Sequence, residues 1–504
     1  MYQYLLLQTV VLPMVFAALC YLGAGKLGKN VGWLAFAALL ITTASLLLLA
    51  ASQLFTGSIS QVLESYTWAP SAGLTFGFLA DSLSFPLVIV VNLVLAATAV
   101  YSMPYMTTRV NSLYGEDRHG SYGIYYLSFM LVSAGLDGIL LSTNLIELYL
   151  FLETVLIPTF VIISLFGYVD RERVGIIYII WNQLGAFVFL AGIALAYVAT
   201  GSFEIGALHL AQSSSIAFWI AGLILVGWLV KMAVFGLHMW LPITEAEPPT
   251  SFAPTMAVVS GIGSYVIARL LLFGMPSTFH TFSLPLMVWA VVTMFYGGAV
   301  TVAQTDVKYI FAWSTMSQNA YSILGIASWS ALGVAGGVFY FASHILGKFV
   351  MFAVAGILLT QTGLRDVKQM GGLAAKMPFT ASIFVLGALI LSAVPPTSGF
   401  QAEWIMFAGI FSQGAAGSSS YLLVAILGLI ATLLTVAYTF WPVRRIFFGS
   451  LPPTLEGVRD APLTMTIPML ALVVASIVIG IYPDLVSKFL IAFASSLPIG
   501  GIHA

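Results

Sequence analysis

Long apolar runs alternate with short polar connections along the whole chain. A helix that crosses a bilayer needs about 20 consecutive apolar residues, and fourteen stretches meet this requirement. They lie near residues 2–23, 31–53, 78–105, 121–142, 144–167, 174–199, 214–240, 251–275, 281–304, 309–328, 331–360, 378–414, 419–443 and 463–490. The longest polar connections are near 54–77, 106–120, 361–377 and 444–462. The pattern predicts an all-α polytopic membrane protein with about 14 transmembrane helices.

The composition supports a lipid environment. Of 504 residues, 60% are hydrophobic and 7% are charged, whereas soluble domains carry roughly 25% charged residues. The net charge of −1 and the lack of a basic, aromatic-rich patch argue against nucleic acid as a partner. The single cysteine, Cys20, excludes an internal disulfide, a cysteine-ligated iron–sulfur cluster and a four-cysteine zinc site. Because no basic segment precedes the first apolar run, we expect a retained span rather than a signal peptide.

The basic residues are segregated between alternate loops. One set of loops holds thirteen of the 17 lysines and arginines: Lys26, Lys29, Arg109, Arg118, Arg171, Arg173, Lys308, Arg365, Lys368, Lys376, Arg444, Arg445 and Arg459. The opposite loops hold none, and Lys488 lies at the end of the last span. Since positively charged loops stay on the cytoplasmic side, both termini are predicted to lie outside. Only Lys231, Arg269 and Lys348 fall inside spans.

Proline interrupts two of the spans. The seventh runs into HMWLPITEAEPPTSFAP and the twelfth contains SAVPPTSGFQAEW. Proline breaks a helix, and freed backbone at membrane depth is tolerated only against protein or a water-filled cavity. Two breaks five spans apart indicate two inverted five-helix repeats, spans 4–8 and 9–13. The predicted units are an N-terminal segment 1–120, repeats 121–280 and 281–448, and a C-terminal helix 449–504.

A glycine-rich stretch, GAGKLGK at residues 23–29, matches nucleotide-binding patterns by spacing. Those patterns need a strand before and a helix after, within a βαβ unit. Here the stretch joins two membrane helices, and Asn30 stands where a phosphate-binding loop has serine or threonine. We therefore expect a tight cytoplasmic turn.

Lys231 is the most informative residue. A lysine at the centre of a span costs on the order of 2.5–3.5 kcal/mol on insertion scales and usually marks an ion or proton pathway. The alternative is a lysine that extends to the membrane interface. His238 follows seven residues later, which on a continuous helix places both side chains on one face.

Acidic residues in the fifth and twelfth spans are further candidates. Glu153 lies deep in its span, whereas Glu147 is six residues earlier, on a different face, and is expected to be interfacial. Glu403 follows the break in the twelfth span, where the alternative role is a cap on the resumed helix.

The eleventh span contributes two titratable groups one turn apart. His344 and Lys348 are spaced i, i+4 and therefore lie on one face. The alternative for His344 is a hydrogen-bonded side chain that caps a distorted turn. Together with Glu153, Lys231 and Glu403, these residues form a predicted proton relay, which His238 and His344 would connect through water.

Other charged residues have simpler explanations. Asp137 lies toward a helix end, Asp81 is a weak candidate, and Arg269 is expected to face the outer interface. Asp306 and Lys308 stand at a helix start, where an acidic side chain suits the helix dipole.

Four motifs carry a resemblance to a known family. They are LVKMAVFGLHMWLPITEAEPPT, TDVKYIFAWSTMSQNAYSILG, FYFASHILGKFVMF and PPTSGFQAEW. These resemble signatures of the antiporter-like subunits of respiratory complex I, a family that includes Mrp antiporter subunits and the membrane arms of energy-converting hydrogenases. The resemblance covers spans 4 to 13. Glu403 resembles the glutamate of chain M (subunit 4), where chain L usually has lysine, and the chain ends after span fourteen without chain L's lateral helix.

The resemblance implies roles for individual residues. Glu153 is then the fifth-span glutamate, Lys231 the seventh-span lysine and His344 the eleventh-span histidine. Two positions depart from the family pattern: Gly261 stands where a lysine often occurs, and Gln318 where many relatives have histidine. Water, or Ser260 and Ser264, would bridge the first gap, and Lys348 would take the middle position.

The function that follows is proton translocation by a non-redox subunit of a complex I-like NADH (or other donor):quinone oxidoreductase. No cofactor is expected in this chain, while iron–sulfur clusters and quinone are expected in partner membrane-complex subunits. The alternatives are an Mrp-type Na⁺/H⁺ antiporter subunit, a hydrogenase or sulfur-reductase membrane arm, and a structural scaffold without transport. The expected location is the prokaryotic plasma membrane or another energy-transducing membrane.

Overall fold

The computed structural model describes residues 4–56, 60–72, 74–116, 118–415 and 419–499. Ten helical stretches within these residues are long and apolar enough to cross a membrane. The chain is therefore a polytopic integral membrane protein, as predicted. The predicted first span begins at residue 2 and the predicted C-terminal unit ends at residue 504, and both of these ends lie outside the described residues.

The helices follow one another with short connections. The first group is α1 (Leu5–Leu27), α2 (Gly32–Thr56), α3 (Ser84–Tyr114), α4 (His119–Leu141), α5 (Leu145–Phe166), α6 (Arg171–Thr200) and α7 (Leu208–Ala211). The next is α8 (Ala217–Lys231), α9 (Leu241–Ala246), α10 (Ala253–Gly261), α11 (Gly263–Ile267) and a π-helical turn (Ala268–Phe273). The last is α12 (Pro276–Ala303), α13 (Val307–Ile326), α14 (Ala331–Thr362), α15 (Pro378–Leu391), α16 (Ser398–Ala415), α17 (Ser419–Phe447), α18 (Leu463–Ile481) and α19 (Ser487–Ser495).

A β-hairpin occupies a stretch that was predicted as a polar connection followed by the start of the third span. Strands β1 (Val62–Ala69) and β2 (Leu74–Ala80) pair antiparallel, and α3 begins only at Ser84. The two oxygens of Glu64 accept hydrogen bonds from the backbone N–H groups of Leu6 and Leu7, both at 2.9 Å. The hairpin therefore caps the start of α1, where a carboxylate also suits the helix dipole.

Two other local predictions can be compared with the structure. GAGKLGK ends α1 and continues into the 3₁₀ turn Gly28–Val31, with Gly28 at φ 54°, so the predicted turn is confirmed. The last predicted span, 463–490, is not one helix. It divides into α18 and α19 at the 3₁₀ turn Pro483–Leu485, because Pro483 cannot donate the backbone hydrogen bond that would continue α18.

The two predicted helix breaks are present and share one backbone geometry. Helix α8 ends at Lys231 and α9 begins at Leu241, while α15 ends at Leu391 and α16 begins at Ser398. An alanine in the left-handed region follows each first half, Ala233 at φ 56° and Ala393 at φ 52°. Both alanines close the same kind of turn. The backbone N–H of Ala233 donates to Val230 O at 3.2 Å, and that of Ala393 donates to Ile390 O at 3.3 Å.

A second backbone element also occurs twice. Asn144 caps α5 and forms an isolated antiparallel bridge with Glu204, which follows α6. Asp306 caps α13 and forms the same bridge with Asp366, which follows α14. Within each pair the two residues are the same number of positions apart. The bridges thus align α5–α6 with α13–α14 residue by residue.

Helices α14 and α16 touch through their backbones. A Cβ atom on Gly336 would overlap the backbone nitrogen of Met406, and one on Gly409 would overlap the backbone nitrogen of Gly333. This contact fixes α14, which carries His344 and Lys348, against the helix that carries Glu403.

Replacing Gly336 by alanine is expected to push α14 and α16 apart and to destabilise the protein by about 1–3 kcal/mol, the usual cost of overpacking. The measurement is thermal or denaturant unfolding of the purified protein in detergent. Gly222→Ala is the matched control, because its Cβ would meet only Phe282 Cζ at 3.7 Å. Equal stability of the two variants would contradict the close contact.

Candidate functional site

Lys231 and Glu153 face one another across α6. Lys231 is the last residue of α8, is 4% exposed, and donates from Nζ to Asn182 Oδ1 at 3.3 Å. Half-buried Glu153 of α5 accepts a hydrogen bond from Gln183 Nε2 at 3.4 Å and is the carboxylate that interacts electrostatically with Lys231. Both bonds are long, so neither group is held in a tight ion pair.

His238 does not share a helix face with Lys231. The expectation assumed a continuous helix, but α8 ends at Lys231 and residues 232–240 form the break. His238 is 4% exposed, and its Nδ1 accepts a hydrogen bond from the Gly236 backbone N–H at 3.1 Å. Its ring packs against Tyr296 and Trp313, with centroids 5.0 and 5.7 Å away. Its position is therefore set by the break and by α12 and α13.

Lys348 is fully buried in α14. Its Nζ donates to the Phe311 carbonyl and to Ser314 Oγ, both on α13. His344 lies one turn earlier and is 3% exposed, and its Nε2 has no hydrogen-bond partner among the described residues. The predicted i, i+4 pair therefore shares one buried face, and the histidine retains unused hydrogen-bonding capacity.

Glu403 lies beside a cluster of tyrosines. Half-buried on α16, it interacts electrostatically with Tyr321, Tyr340 and Tyr438. Gln318 links two of these rings: it donates to Tyr438 OH at 2.6 Å and accepts from Tyr340 OH at 2.7 Å. The glutamine that stands in place of a histidine is thus fully engaged as a hydrogen-bond bridge.

The predicted relay residues form two centres, and the second extends along α14. Glu153 and Lys231 make the first centre. Tyr340, His344 and Lys348 follow one another at four-residue spacing on α14, so one helix face runs from the tyrosine cluster beside Glu403 to the lysine. No direct bond among the described residues joins the two centres.

Glu245 lies beside Lys348 of the second centre and was missed by the sequence analysis. It is on α9, fully buried, and neither carboxylate oxygen accepts a hydrogen bond from the described residues. Its electrostatic partner is Lys348. In the sequence it stands in TEAEPPT, a stretch resembling a solvated loop, and only the turn back of α9 into the interior reveals its burial.

The gap left by Gly261 is filled by neutral groups. A Cβ on Gly261 would collide with the Phe341 ring, so α10 and α14 meet closely there. Asn319 of α13 donates to Met232 O at 3.3 Å and to Ser260 Oγ at 3.2 Å, while its Oδ1 has no partner in the described residues. Ser260 therefore lies where the sequence analysis expected a bridging group.

Two acidic candidates have structural partners. Glu147 is in the first turn of α5, near the helix start as expected, but it is fully buried beneath the hairpin rather than exposed at the interface, and its Oε2 accepts a bond from Gly77 N at 3.2 Å. Asp137, also fully buried, accepts a bond from Asn92 Nδ2 at 2.7 Å.

Arg269 is buried rather than interfacial, which corrects the expectation. Its Nη1 and Nη2 donate to both oxygens of Asp81, at 2.7 and 2.6 Å, from the π-helical turn. Burial alone would raise the pKa of Asp81, but the Arg269 guanidinium outweighs this effect and holds that pKa below its usual range. The pair is therefore fully charged at neutral pH, and its stabilisation is lost only when the pH falls through that lowered value.

Asp306 and Lys308 are structural, as predicted. Asp306 caps α13 by accepting from Lys308 N at 2.9 Å and forms a salt bridge with Arg365 at 2.6 Å. Lys308 Nζ donates to Pro248 O at 2.7 Å, which ties α13 to the segment after α9.

Comparison with known proteins identifies the family. The sequence profile described as "NADH:quinone oxidoreductase/Mrp antiporter, TM" matches residues 142–435. NAD(P)H-quinone oxidoreductase chain 4 1 of Nostoc sp. is 28% identical over 496 residues, covering 95% of this chain and 88% of the relative.

Solved structures share the fold. A chain of the Mrp complex from Dietzia sp. superposes with a TM-score of 0.84 at 22% identity, covering 98% of this chain and 97% of that one. A chain of respiratory complex I from Thermus thermophilus gives 0.81 at 23% identity, covering 97% and 99%. Among the described residues, no three histidine, cysteine, aspartate or glutamate side chains group as metal ligands.

Arg269→Ala is expected to destabilise the protein by about 3 kcal/mol, because it leaves the partly buried Asp81 carboxylate without its cation. Unfolding in detergent at neutral pH measures the loss. The control is Arg118→Ala, at an exposed position, where no measurable loss is expected. The double variant Arg269→Met with Asp81→Asn should recover much of the stability. Equal stability of Arg269→Ala and wild type would contradict the buried pair.

Proposed function

Because the chain belongs to the NADH:quinone oxidoreductase/Mrp antiporter family, we propose that it is a proton-translocating membrane subunit of a complex I-like oxidoreductase. The similarity to a chain 4 protein over 95% of this chain supports this assembly type. The observation that carries the proposal is the loosely held Lys231, buried at membrane depth and facing Glu153.

The loose pairing suits a group that gains and loses a proton. An adjacent carboxylate favours the charged form of a lysine, whereas burial favours the neutral form. A movement that separates Glu153 from Lys231 therefore promotes release of the lysine's proton, and a return promotes its uptake. Since each unit of pKa corresponds to about 1.4 kcal/mol, small movements suffice.

The proton then travels along the second centre. In our proposal it passes from Lys231 to Lys348 and on to Glu403, and leaves from there. The open Nε2 of His344 and the Gln318–tyrosine bridge provide hydrogen-bonding groups along α14. His238, packed against aromatic rings at the break, likewise has an Nε2 without a hydrogen-bond partner in the described residues.

The finer topology is part of the proposal. We propose fourteen spans, with spans 4–8 and 9–13 as inverted repeats and units 1–120, 121–280, 281–448 and 449–504. The duplicated breaks and duplicated β-bridges support the repeats. The segregation of lysine and arginine supports an orientation with both termini outside.

Redox chemistry belongs to other chains in this proposal. The chain acts as a non-redox subunit of a translocase in a prokaryotic plasma membrane or another energy-transducing membrane. Its partners are neighbouring antiporter-like membrane subunits, and the iron–sulfur clusters and quinone are held elsewhere. Electron transfer there alters the charge at one end of the row, and Glu153 responds.

An Mrp-type antiporter subunit is the second candidate. The TM-score of 0.84 to an Mrp complex chain, beside 0.81 for complex I, supports both assemblies equally at the level of fold. The two differ in their energy source. Proton movement that requires quinone reduction indicates the oxidoreductase, whereas proton movement driven by a sodium gradient alone indicates the antiporter.

Lys231→Ala in the assembled complex is expected to abolish proton pumping, because no titratable group remains at that position. The measurement is electron transfer to quinone and acidification, recorded together in sealed vesicles. Lys231→Arg is expected to fail as well, since a guanidinium keeps its charge but does not release its proton.

The matched control is Lys488→Ala, at an exposed lysine in the first turn of α19, which should pump normally. Subunit content of the purified complex confirms assembly of each variant. Pumping of Lys231→Ala at the wild-type rate per electron would show that Lys231 is a structural charge and would refute the proposed relay.

A further inference from the structure

Glu245 is a buried carboxyl group with an unusual lack of hydrogen bonds. It is fully buried on α9, and neither oxygen accepts a bond from the described residues. Transferring a carboxylate into such surroundings is costly unless it is paired and hydrogen-bonded. Ionisable groups within membrane spans are rare and mark proton or ion pathways. Glu245 therefore needs an explanation beyond packing.

The group that faces Glu245 is Lys348. Lys348 is anchored to α13 by Phe311 O and Ser314 Oγ, and Glu245 lies beside the next residue, Thr315. The Thr315 hydroxyl, which donates to Phe311 O at 3.1 Å, is the neutral polar group beside the carboxylate. His344 is the other titratable group nearby, one turn from Lys348 on α14. Acid and base thus meet on one turn of α13.

The duplicated β-bridges allow α5 to be compared with α13 position by position. The comparison shows that α13 lacks the acidic residue that α5 supplies to the first centre. Counted from the helix caps Asn144 and Asp306, Glu153 in α5 corresponds to Thr315 in α13. The first centre has its carboxylate on α5, opposite Lys231. At the corresponding position of the second centre there is only a threonine, and Glu245 of α9 brings a carboxylate to its side.

The acidic residue nearest to Glu245 in the sequence has other partners and a structural role. Glu247, two residues on, interacts with Lys308, and its Oε1 accepts a bond from Asp170 N at 3.0 Å. It anchors the segment after α9. Helices α10 and α11 contribute no acidic or basic side chain between the centres. Glu245 is thus the carboxyl group that this segment brings to Lys348.

We propose that Glu245 carries a proton from the first centre to Lys348, by way of the Ser260–Asn319 region. The inference rests on the proposed function. In the forward step the protonated carboxyl group gives its proton to the neutral Lys348 amine, and a carboxylate and an ammonium result. Glu245 then takes its next proton from the Lys231 side, which restores the neutral acid. Structural anchoring of Lys348 is the competing explanation.

The test compares three variants in the assembled complex in sealed vesicles. Glu245→Gln keeps the shape but cannot carry a proton, so pumping per electron should fall about a hundredfold or more, the scale of a lost proton-transfer group. Glu245→Asp keeps a carboxyl group and should retain most of the activity. Asp137→Asn is the matched control, because it also neutralises a fully buried carboxyl group but lies outside the relay.

Difference infrared spectroscopy during turnover supplies a readout that anchoring alone would not move. One carboxyl C=O band, in addition to any band from Glu153 or Glu403, should be present in wild type and Asp137→Asn and absent in Glu245→Gln. The inference is overturned if Glu245→Gln pumps normally, or if it fails with the carboxyl signal unchanged. If the Glu245 inference is overturned in either way while Lys231→Ala is inactive, the proposed function still holds. When Lys231→Ala also pumps normally, the proposed function itself fails.

Discussion

Inside a bilayer, a backbone N–H or C=O group that leaves a helix finds no water to bind. The chain nevertheless breaks two of its proposed membrane-spanning helices, at residues 232–240 and 392–397. The backbone of each break closes on itself, because Val234 donates to Leu229 O and Val394 donates to Leu389 O. The first break lies between Lys231 and Glu245 and contains His238, and the second precedes Glu403. The positions of these side chains therefore depend on the two breaks.

Pairing strength distinguishes the Arg269–Asp81 pair and Lys308 from Lys231 and Glu245, whereas Lys348, also a proposed carrier, is anchored by two bonds to α13. Arg269 and Asp81 share two short bonds, and Lys308 has a bond of 2.7 Å to Pro248 O. Such groups pay a high cost to change protonation. Lys231 has one bond of 3.3 Å, and Glu245 has none in the described residues. A group with few fixed partners changes protonation with small movements, as a relay requires.

The sequence predicts what depends on local pattern and misses what depends on packing. Apolar run lengths predict the helices, and proline predicts both breaks. The hairpin at 62–80 was missed because its residues follow a polar loop and join an apolar run without a clear boundary. The prediction that Lys231 and His238 share a helix face was wrong, because the break removes the helical periodicity between them. Burial of Arg269 depends on Asp81, which is distant in sequence, and Glu245 is buried only because α9 turns inward.

The break in the seventh span couples the two centres mechanically. Lys231 ends the helix before it, and Glu245 stands on the helix after it. Trp240, at the start of α9, donates from Nε1 to Val230 O at 2.9 Å, so the two halves are joined next to the lysine. A shift of α8 toward or away from Glu153 therefore also moves α9. In the proposed relay, one such displacement would change both the surroundings of Lys231 and the approach of Glu245 to Lys348, and charge would pass from the first centre to the second.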